Sequence, residues 1–561
     1  MQSVLYHFLQ NFTLQIVKGN AKDKCIDGKS GIYYDSSLVF EIERESGNRM
    51  DTKKSSSMKQ NDWPVIGVSG GLLVLFIIAS VWNPDAVGSF VNVTFGWAAA
   101  WFGGFWQLLL LGTFITALYL AFSSYGKVKL GNKNAPEFAT GKWLSIIMCT
   151  LLAGGGVFWA AAEPIYHFME LPPVFSGIEG SSMEAAAPAL AQSYLHWGFL
   201  AWAVLGTLST IVLMHAHYEK GMPLKPRSLL YPIFGRGIAE NSWIGSTVDI
   251  CSIIAVAAGT IGPIGFLGTQ AGYGMETLMG IPNEYPVQLA IIAGLVIVAS
   301  ISAVTGVHKG IQWLSSFNVW FTVVLIAAIL LVGPGGFIID MFISSFGVYV
   351  QEFPRMATFR GDDDWLGLWT IFFWGWFLGY GPMMAIFITK ISRGRTIRQL
   401  VLSVAVIAPV VTNFWFTIVG GTGIFYELNQ PGSVSDPLYE GGMPASMMAI
   451  VQQLPLAGVL TFGFLLVTIL FVITTTDSMA YTISMVVSGR DEPHSAVRVF
   501  WVAAMGGAAA CLLFIGEGSV DALQSFIVVT AVPVSIILLP TLWLAPRAAK
   551  QMAQSQGIYK K

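Results

Sequence analysis

Apolar stretches of about 20 residues recur along almost the whole chain, and each is long enough to cross the ~30 Å hydrocarbon core of a bilayer as a helix. In lipid every backbone N–H and C=O must be satisfied internally, which leaves only helices or closed barrels. The continuous apolar runs, without period-two alternation, predict helices. Twelve are expected, at about 63–83, 101–122, 143–168, 188–215, 244–275, 286–306, 318–344, 366–389, 399–426, 456–486, 497–515 and 522–545. A short interfacial helix is expected on the outside over about 345–364. The fold class is therefore all-α integral membrane.

Charge follows the same division. Residues 1–62 hold 17 of the 62 Lys, Arg, Asp and Glu, and the other 499 residues share 45. The chain is read as a polar N-terminal extension (1–62), expected to be disordered or to arise from an upstream start, then the membrane body (63–545) and a short cytoplasmic tail (546–561). The extension has neither the charge order nor the apolar core of a signal peptide. With the N-terminus inside, 22 Lys and Arg from residue 50 onward fall on the cytoplasmic side, and only Arg355 and Arg360 fall outside. That bias predicts cytoplasmic N- and C-termini and a multi-pass protein of the cell inner membrane. The net charge of −2, without a long basic run, excludes nucleic acid as a partner and leaves membrane lipid and a small solute. Cys25, Cys149, Cys251 and Cys511 form no CxxC pair and read as small apolar residues.

Two spans look interrupted near mid-membrane. The third carries Ala153-Gly154-Gly155-Gly156, and the eighth carries Gly375, Gly379, Gly381 and Pro382. Unwound backbone at that depth is tolerated only around a cavity or inside packed protein. Interrupted helices at corresponding positions, five spans apart, fit a transporter built from spans 3–7 and 8–12 as an inverted repeat. The simpler alternative is that these glycines only let helices pack closely.

The eighth span is also unusually aromatic. Membrane tryptophans commonly form interfacial belts, as Trp365 and Trp369 do in this reading. Trp374, Trp376 and Tyr380 lie deeper, with Trp197 and Trp202 of span 4 at matching depth and Trp159 and Tyr166 on span 3. Converging rings beside broken helices suggest a cage, and ring faces attract quaternary ammonium groups. The free N–H groups expected around Gly154 and Gly155 suit an anion, so a zwitterion matches both halves and choline matches less well.

Trp369-Thr370-Ile371-Phe372-Phe373-Trp374-Gly375-Trp376, followed by Lys390-Ile391-Ser392-Arg393-Gly394-Arg395-Thr396-Ile397-Arg398, resembles the signature of the betaine–choline–carnitine transporters. Glu163-Pro164, Leu195-His196-Trp197, Val307-His308-Lys309-Gly310 and Thr474-Thr475-Thr476-Asp477-Ser478 extend the resemblance over about 60–545. It implies two peripheral helices followed by two five-helix inverted repeats. It also implies alternating-access transport of glycine betaine, carnitine or dimethylsulfoniopropionate-type solutes, and a homotrimer. By position, the aromatic box would be Trp197, Trp202, Trp376, Phe377 and Tyr380, with Tyr166 matching a tyrosine of the carnitine branch. The sequence departs from the family at Phe377, usually a second Trp, and at Leu205, a box tyrosine in the betaine branch.

The resemblance further implies a sodium site. Thr474 and Thr475 match the hydroxyl pair of the sodium-coupled branch, with carbonyls of Cys149, Leu152 and Phe471 completing the shell. Asn318 stands where sodium-independent exchangers carry Arg. Of a second site's two threonines only Thr260 is present, and Val256 takes the other position. Asp477 reads as an ion-path residue, and Arg395 in the basic loop as a gating residue. The threonines have an ordinary alternative, back-bonding to the preceding helical turn. No organic cofactor is expected, only sodium as coupling ion. The other carriers considered are a sodium-independent or proton-coupled exchanger and a choline transporter. A channel lacks support from any repeated selectivity loop, and an enzyme from any HExxH, GxSxG or Walker motif.

Overall fold

The computed structural model describes residues 62–559, except 153–155, 241, 306, 307 and 491, and leaves the side chains of 149–152 and 308–316 undescribed. The polar extension, apart from Asp62, lies outside the described residues. So do Gly154 and Gly155, the glycines expected to offer free N–H groups. Among the described residues there is no β-strand, only one isolated bridge between Lys129 and Thr396.

Leaving aside four short α-helices (Tyr231–Phe234, Asp363–Leu366, Ser435–Gly441 and Ala445–Gln452), the α-helices in order are α1 (Trp63–Trp82), α2 (Pro84–Phe122), α3 (Thr140–Leu152), α4 (Gly156–Met169), α5 (Met183–Trp197), α6 (Phe199–Gly206), α7 (Leu208–Met214), α8 (Trp243–Met279) and α9 (Tyr285–Thr305). The second half holds α10 (His308–Val332), α11 (Gly335–Ala357), α12 (Phe372–Ile391), α13 (Ile397–Leu402), α14 (Ala408–Asn429), α15 (Ala457–Ser488), α16 (Ser495–Ile515), α17 (Asp521–Leu538) and α18 (Thr541–Ser555). Among the described residues, 10 helices are long and apolar enough to cross a membrane, or 11 when one bent pair counts as a span. Near-continuous segments join several of these elements, so α5 to α7 form one path from Met183 to Glu219, and Asp363 to Ile391 another.

Local chemistry sets the ends. Pro64 and Pro84 open α1 and α2 where a missing N–H costs nothing, and the Asn83 side chain accepts from Ala86 N at 3.1 Å. Gly280 and Gly489 close α8 and α15 in the left-handed conformation that favours glycine. Burial then sorts the helices: 94% of the apolar window is buried in the Met183–Glu219 and Asp363–Ile391 segments, against 28% in α1 and α9. The interior is thus built around spans 4 and 8, and α1 is largely lipid-facing.

Several boundaries differ from expectation. The seventh span ends at Val332, not near 344. The chain turns by 105° at Gly333-Pro334, and the helix expected over 345–364 is α11, beginning at Gly335. Apolarity carries across that corner, so hydropathy alone does not reveal it. The twelfth span ends at Leu538, and the amphipathic α18 begins at Thr541, so helix crosses the expected boundary at 545 and runs to Ser555.

The eighth span was expected to be broken at its glycines and proline. Instead α12 is continuous through Gly375, Gly379, Gly381 and Pro382. The glycines serve close packing: a Cβ at Gly375 would stand 2.8 Å from the Trp106 ring, and one at Gly381 3.0 Å from Leu538. The distortion lies one turn earlier, in the π-helical turn Gly367–Ile371. The helix that does break is span 4, at Gly198 and Thr207. A Cβ at Gly198 would strike the Tyr194 carbonyl and the Tyr349 hydroxyl, so glycine is required there.

On the face assigned as cytoplasmic, buried ion pairs tie the elements together. Asp62 reaches Arg227 at 2.6 Å and Lys225 at 3.2 Å, while its N–H donates to Val487 O on α15. Arg227 also pairs with Asp249 of α8 at 2.6 Å. Three cations counted as loop charges, Arg227, Arg395 and Arg498, are therefore buried structural groups.

Candidate functional site: an aromatic box between two buried spans

The box begins where span 4 breaks. Trp197 is the last residue of α5, and its ring meets Phe377 edge-on at 5.2 Å and 86° and Trp376 at 5.9 Å and 82°. Trp376 and Phe377 are themselves stacked, 17° apart. Phe373 and Phe416 close on Trp197 at 5.5 and 5.2 Å, and Phe266 and Phe372 on Trp376 at 5.8 and 5.7 Å. Trp376 sits about 20 Å along a helical path of about 43 Å from Asp363 to Ile391, which is mid-depth.

The third wall comes from α8. Pro263 has no N–H, so the Gly259 carbonyl four residues earlier lacks its helical donor. The Trp376 Nε1–H donates to that carbonyl at 3.1 Å. Gly259 must be glycine, since a Cβ would press into the Tyr380 ring and stand 3.2 Å from Trp376 Nε1. Thr260 beside it bonds the Tyr380 hydroxyl at 3.2 Å and donates to Val256 O at 2.8 Å. Thr260, expected on an ion path, is thus engaged with the box.

Not every expected residue joins the ring contacts. Trp202, Trp374 and Tyr380 are all buried, yet among the described residues no ring pair links them to Trp197, Trp376 or Phe377. Trp374 is fully buried, with Nε1 unpartnered, two residues before Trp376 and so on another face of α12. Tyr166 meets Trp369 at 4.9 Å.

A polar cluster backs the box. Glu163 of α4 accepts from Trp197 Nε1 at 2.9 Å through Oε2, and its Oε1 lies 2.6 Å from His196 Nδ1. His196 Nε2 is 2.9 Å from the Thr370 hydroxyl and 3.0 Å from the Gln192 amide nitrogen. His167 Nε2 stands 3.5 Å from Glu163 Oε1, and Trp369 covers its ring at 4.5 Å. Glu163, His167 and His196 have the donor set of a metal site, with ligand atoms within 4.8 Å of one another. Both Glu163 oxygens, however, already serve Trp197 and His196. The reach of Glu163 to Trp197 is a contact across 34 positions that no helical period reveals.

The expected sodium residues are more scattered. Thr474 Oγ1 donates to Leu470 O at 2.8 Å and lies 3.2 Å from Phe471 O, the ordinary back-bonding pattern. Thr475 Oγ1 is buried and, among the described residues, has no hydrogen-bond partner, as is true of Asn318 Oδ1 on α10. Cys149 and Leu152 end α3, where the last carbonyls of a helix lack intrahelical donors. Asp477 meets a partner the sequence reading did not weigh: Arg498 Nη2 at 2.8 Å, both side chains 5% exposed.

The basic loop at 390–398 is clamped rather than free. Arg395 is 3% exposed, donates to Thr140 Oγ1 at 2.9 Å and Phe138 O at 2.5 Å, and lies 4.5 Å over the Trp143 ring. Gly394, at φ +77°, donates to Leu130 O at 2.7 Å. The loop thereby joins the end of α12 to the segment leading into α3.

Against this geometry, residues 64–554 match the family model described as betaine/carnitine/choline family transporter. The chain belongs to that family. A glycine betaine transporter 2 of Vibrio parahaemolyticus is 52% identical over 495 residues, covering 88% of this chain and 91% of that relative. An ectoine/glycine betaine/proline transporter of Corynebacterium glutamicum is 30% identical over 90% of this chain and 81% of the relative. An ectoine/hydroxyectoine transporter of Virgibacillus pantothenticus is 30% identical over 85% and 94%. The family and these relatives are transporters, not enzymes, and the chain is accordingly a multi-pass membrane transporter.

Proposed function

We propose that this transporter is a sodium-coupled carrier that imports a zwitterionic quaternary ammonium or sulfonium solute, glycine betaine first, by alternating access. The observation that carries this reading is the Trp197–Trp376–Phe377 arrangement. Two near-parallel rings and one near-perpendicular to both meet about halfway along the Asp363–Ile391 path, between the two most buried spans. An onium group offers diffuse positive charge and an apolar shell, the combination that such ring faces favour. The 52% identical relative is named for glycine betaine, which favours it over ectoine, named for relatives at 30%.

In this reading the twelve spans form two peripheral helices and two inverted five-helix repeats, and the chain works as a homotrimer in the cell inner membrane with both termini cytoplasmic. The backbone N–H groups of Gly154 and Gly155 take the carboxylate. Sodium binds between Thr475, Thr474 and the carbonyls of Cys149, Leu152 and Phe471. Thr475 supports the assignment: among the described residues its buried hydroxyl has no partner, which costs about 1–3 kcal/mol, and a hard cation would satisfy it. Arg395 acts in gating by holding the α12 exit against α3.

The test is counterflow in proteoliposomes. Saturable exchange of labelled glycine betaine is expected, with competition by dimethylsulfoniopropionate and carnitine and weaker competition by choline. Conductance without saturation would make the protein a channel, and choline uptake without betaine competition would overturn the substrate class.

A further inference from the structure

We propose that Glu163 supplies a fixed negative charge to the aromatic box through Trp197, and that this charge selects cationic headgroups over neutral ones of the same shape. The inference rests on the onium reading above and adds to it the source of charge selectivity, since rings alone carry no net charge.

The hydrogen-bond pattern fits an ionised carboxylate. Trp197 Nε1 can only donate, so Glu163 Oε2 accepts at 2.9 Å. With the Gln192 amide NH2 placed 3.0 Å from His196 Nε2, the matching tautomer leaves that ring nitrogen as the acceptor. The ring proton then sits on Nδ1 and is donated to Glu163 Oε1 at 2.6 Å. Both carboxylate oxygens accept, and the histidine is neutral. Among the described residues, Arg and Lys ion-pair partners reach other carboxylates but not Glu163, whose ion-pair contacts are with His167 and His196 alone. In this arrangement the Glu163–His196 pair carries one negative charge, fully buried, and His167 at 3.5 Å is the remaining titratable neighbour.

Trp197 carries the effect to the solute. An indole whose N–H donates to a carboxylate is polarised so that electron density shifts towards the ring, which strengthens its attraction for a cation. The charge also acts directly across the ring, in surroundings that screen it less than water does. A structural role, in which Glu163 only fixes the Trp197 rotamer, predicts equal effects on charged and neutral ligands. The electrostatic role predicts an effect on the charged one alone.

The experiment uses glycine betaine and 3,3-dimethylbutanoate, in which carbon replaces the ammonium nitrogen at almost unchanged shape. Binding of each is measured on purified full-length protein by tryptophan fluorescence or calorimetry. Glu163→Gln keeps an acceptor for Trp197 and removes the charge, since the His196 ring can change tautomer to suit. Betaine affinity should fall on the order of tenfold while the isostere is unchanged. If Gln is not tolerated, the shorter pair Glu163→Asp and Glu163→Asn makes the same comparison, and Asp alone should discriminate. Equal weakening of both ligands, or no change for either, overturns the proposal and leaves the onium reading standing. A wild-type protein that does not discriminate betaine from its isostere overturns the onium reading, and this inference with it.

Discussion

Replacing Trp376 separates two jobs that the structure gives to one side chain. Its ring forms a face of the box, and its Nε1–H serves the Gly259 carbonyl freed by Pro263. Losing a desolvated cation–π face costs about 2 kcal/mol, or roughly thirtyfold in Kd. Leaving a buried carbonyl without its donor costs about 1–3 kcal/mol of stability, whatever the ligand. Trp376→Leu should therefore weaken glycine betaine binding about thirtyfold and lower the melting temperature. Trp376→Phe keeps a ring and loses the N–H, so it should share most of the stability loss and recover a large part of the affinity. Trp82→Leu is the control: Trp82 is 86% exposed at the end of α1 and should do neither. The assay is Kd by calorimetry or fluorescence, with thermal unfolding on the same preparations. If Phe and Leu weaken binding equally, or Trp82→Leu matches them, the ring is not a binding face and the reasoning fails.

Three further outcomes follow. Thr475→Ala should raise the sodium concentration needed for half-maximal uptake several-fold, and Thr474→Ala less, because Thr474 already back-bonds; a reversed order contradicts the assignment. Arg395→Ala removes charge-assisted bonds worth about 1.5–3 kcal/mol each to Thr140 and Phe138, and should lower maximal rate with KM nearly unchanged; a change confined to membrane insertion would make the loop a topological anchor only. Arg498→Ala removes the 2.8 Å ion pair to the buried Asp477 and should lower thermal stability, which Arg498→Met/Asp477→Leu should largely restore; loss of uptake in a stable double variant would support Asp477 on the ion path.

Much of this architecture was legible in the apolar runs, because a bilayer imposes length and continuity on every helix. What hydropathy could not locate were corners where apolar sequence continues. Gly333-Pro334 turns the chain by 105° and makes α11 lie across its neighbour, and the break before Thr541 ends the last span early. The glycines of α12 were read as a break because glycine and proline weaken isolated helices. Here neighbouring helices fill the space, and Trp106 and Leu538 pack where side chains would otherwise stand.

At the site, the residues that share one helix were readable, and those that meet across helices were not. Trp376 and Phe377 follow from depth and ring chemistry. Their partners Gly259 and Glu163 depend on which helices touch. One signal was available for Gly259: a proline at 263 inside a long apolar helix announces a free carbonyl four residues earlier, and a buried indole is a natural donor for it. The pairing of Asp477 with Arg498, 21 positions on, was likewise not readable, because Arg498 was counted with the loop cations.

The central claim is that a sodium gradient drives uptake of a zwitterionic onium solute through this box, and uptake into proteoliposomes tests it most directly. With labelled glycine betaine outside and equal pH on both sides, an inward sodium gradient should drive accumulation above the outside concentration, and Trp197→Leu should abolish the high-affinity component. Accumulation that persists when potassium replaces sodium, or that follows an imposed proton gradient instead, would contradict it.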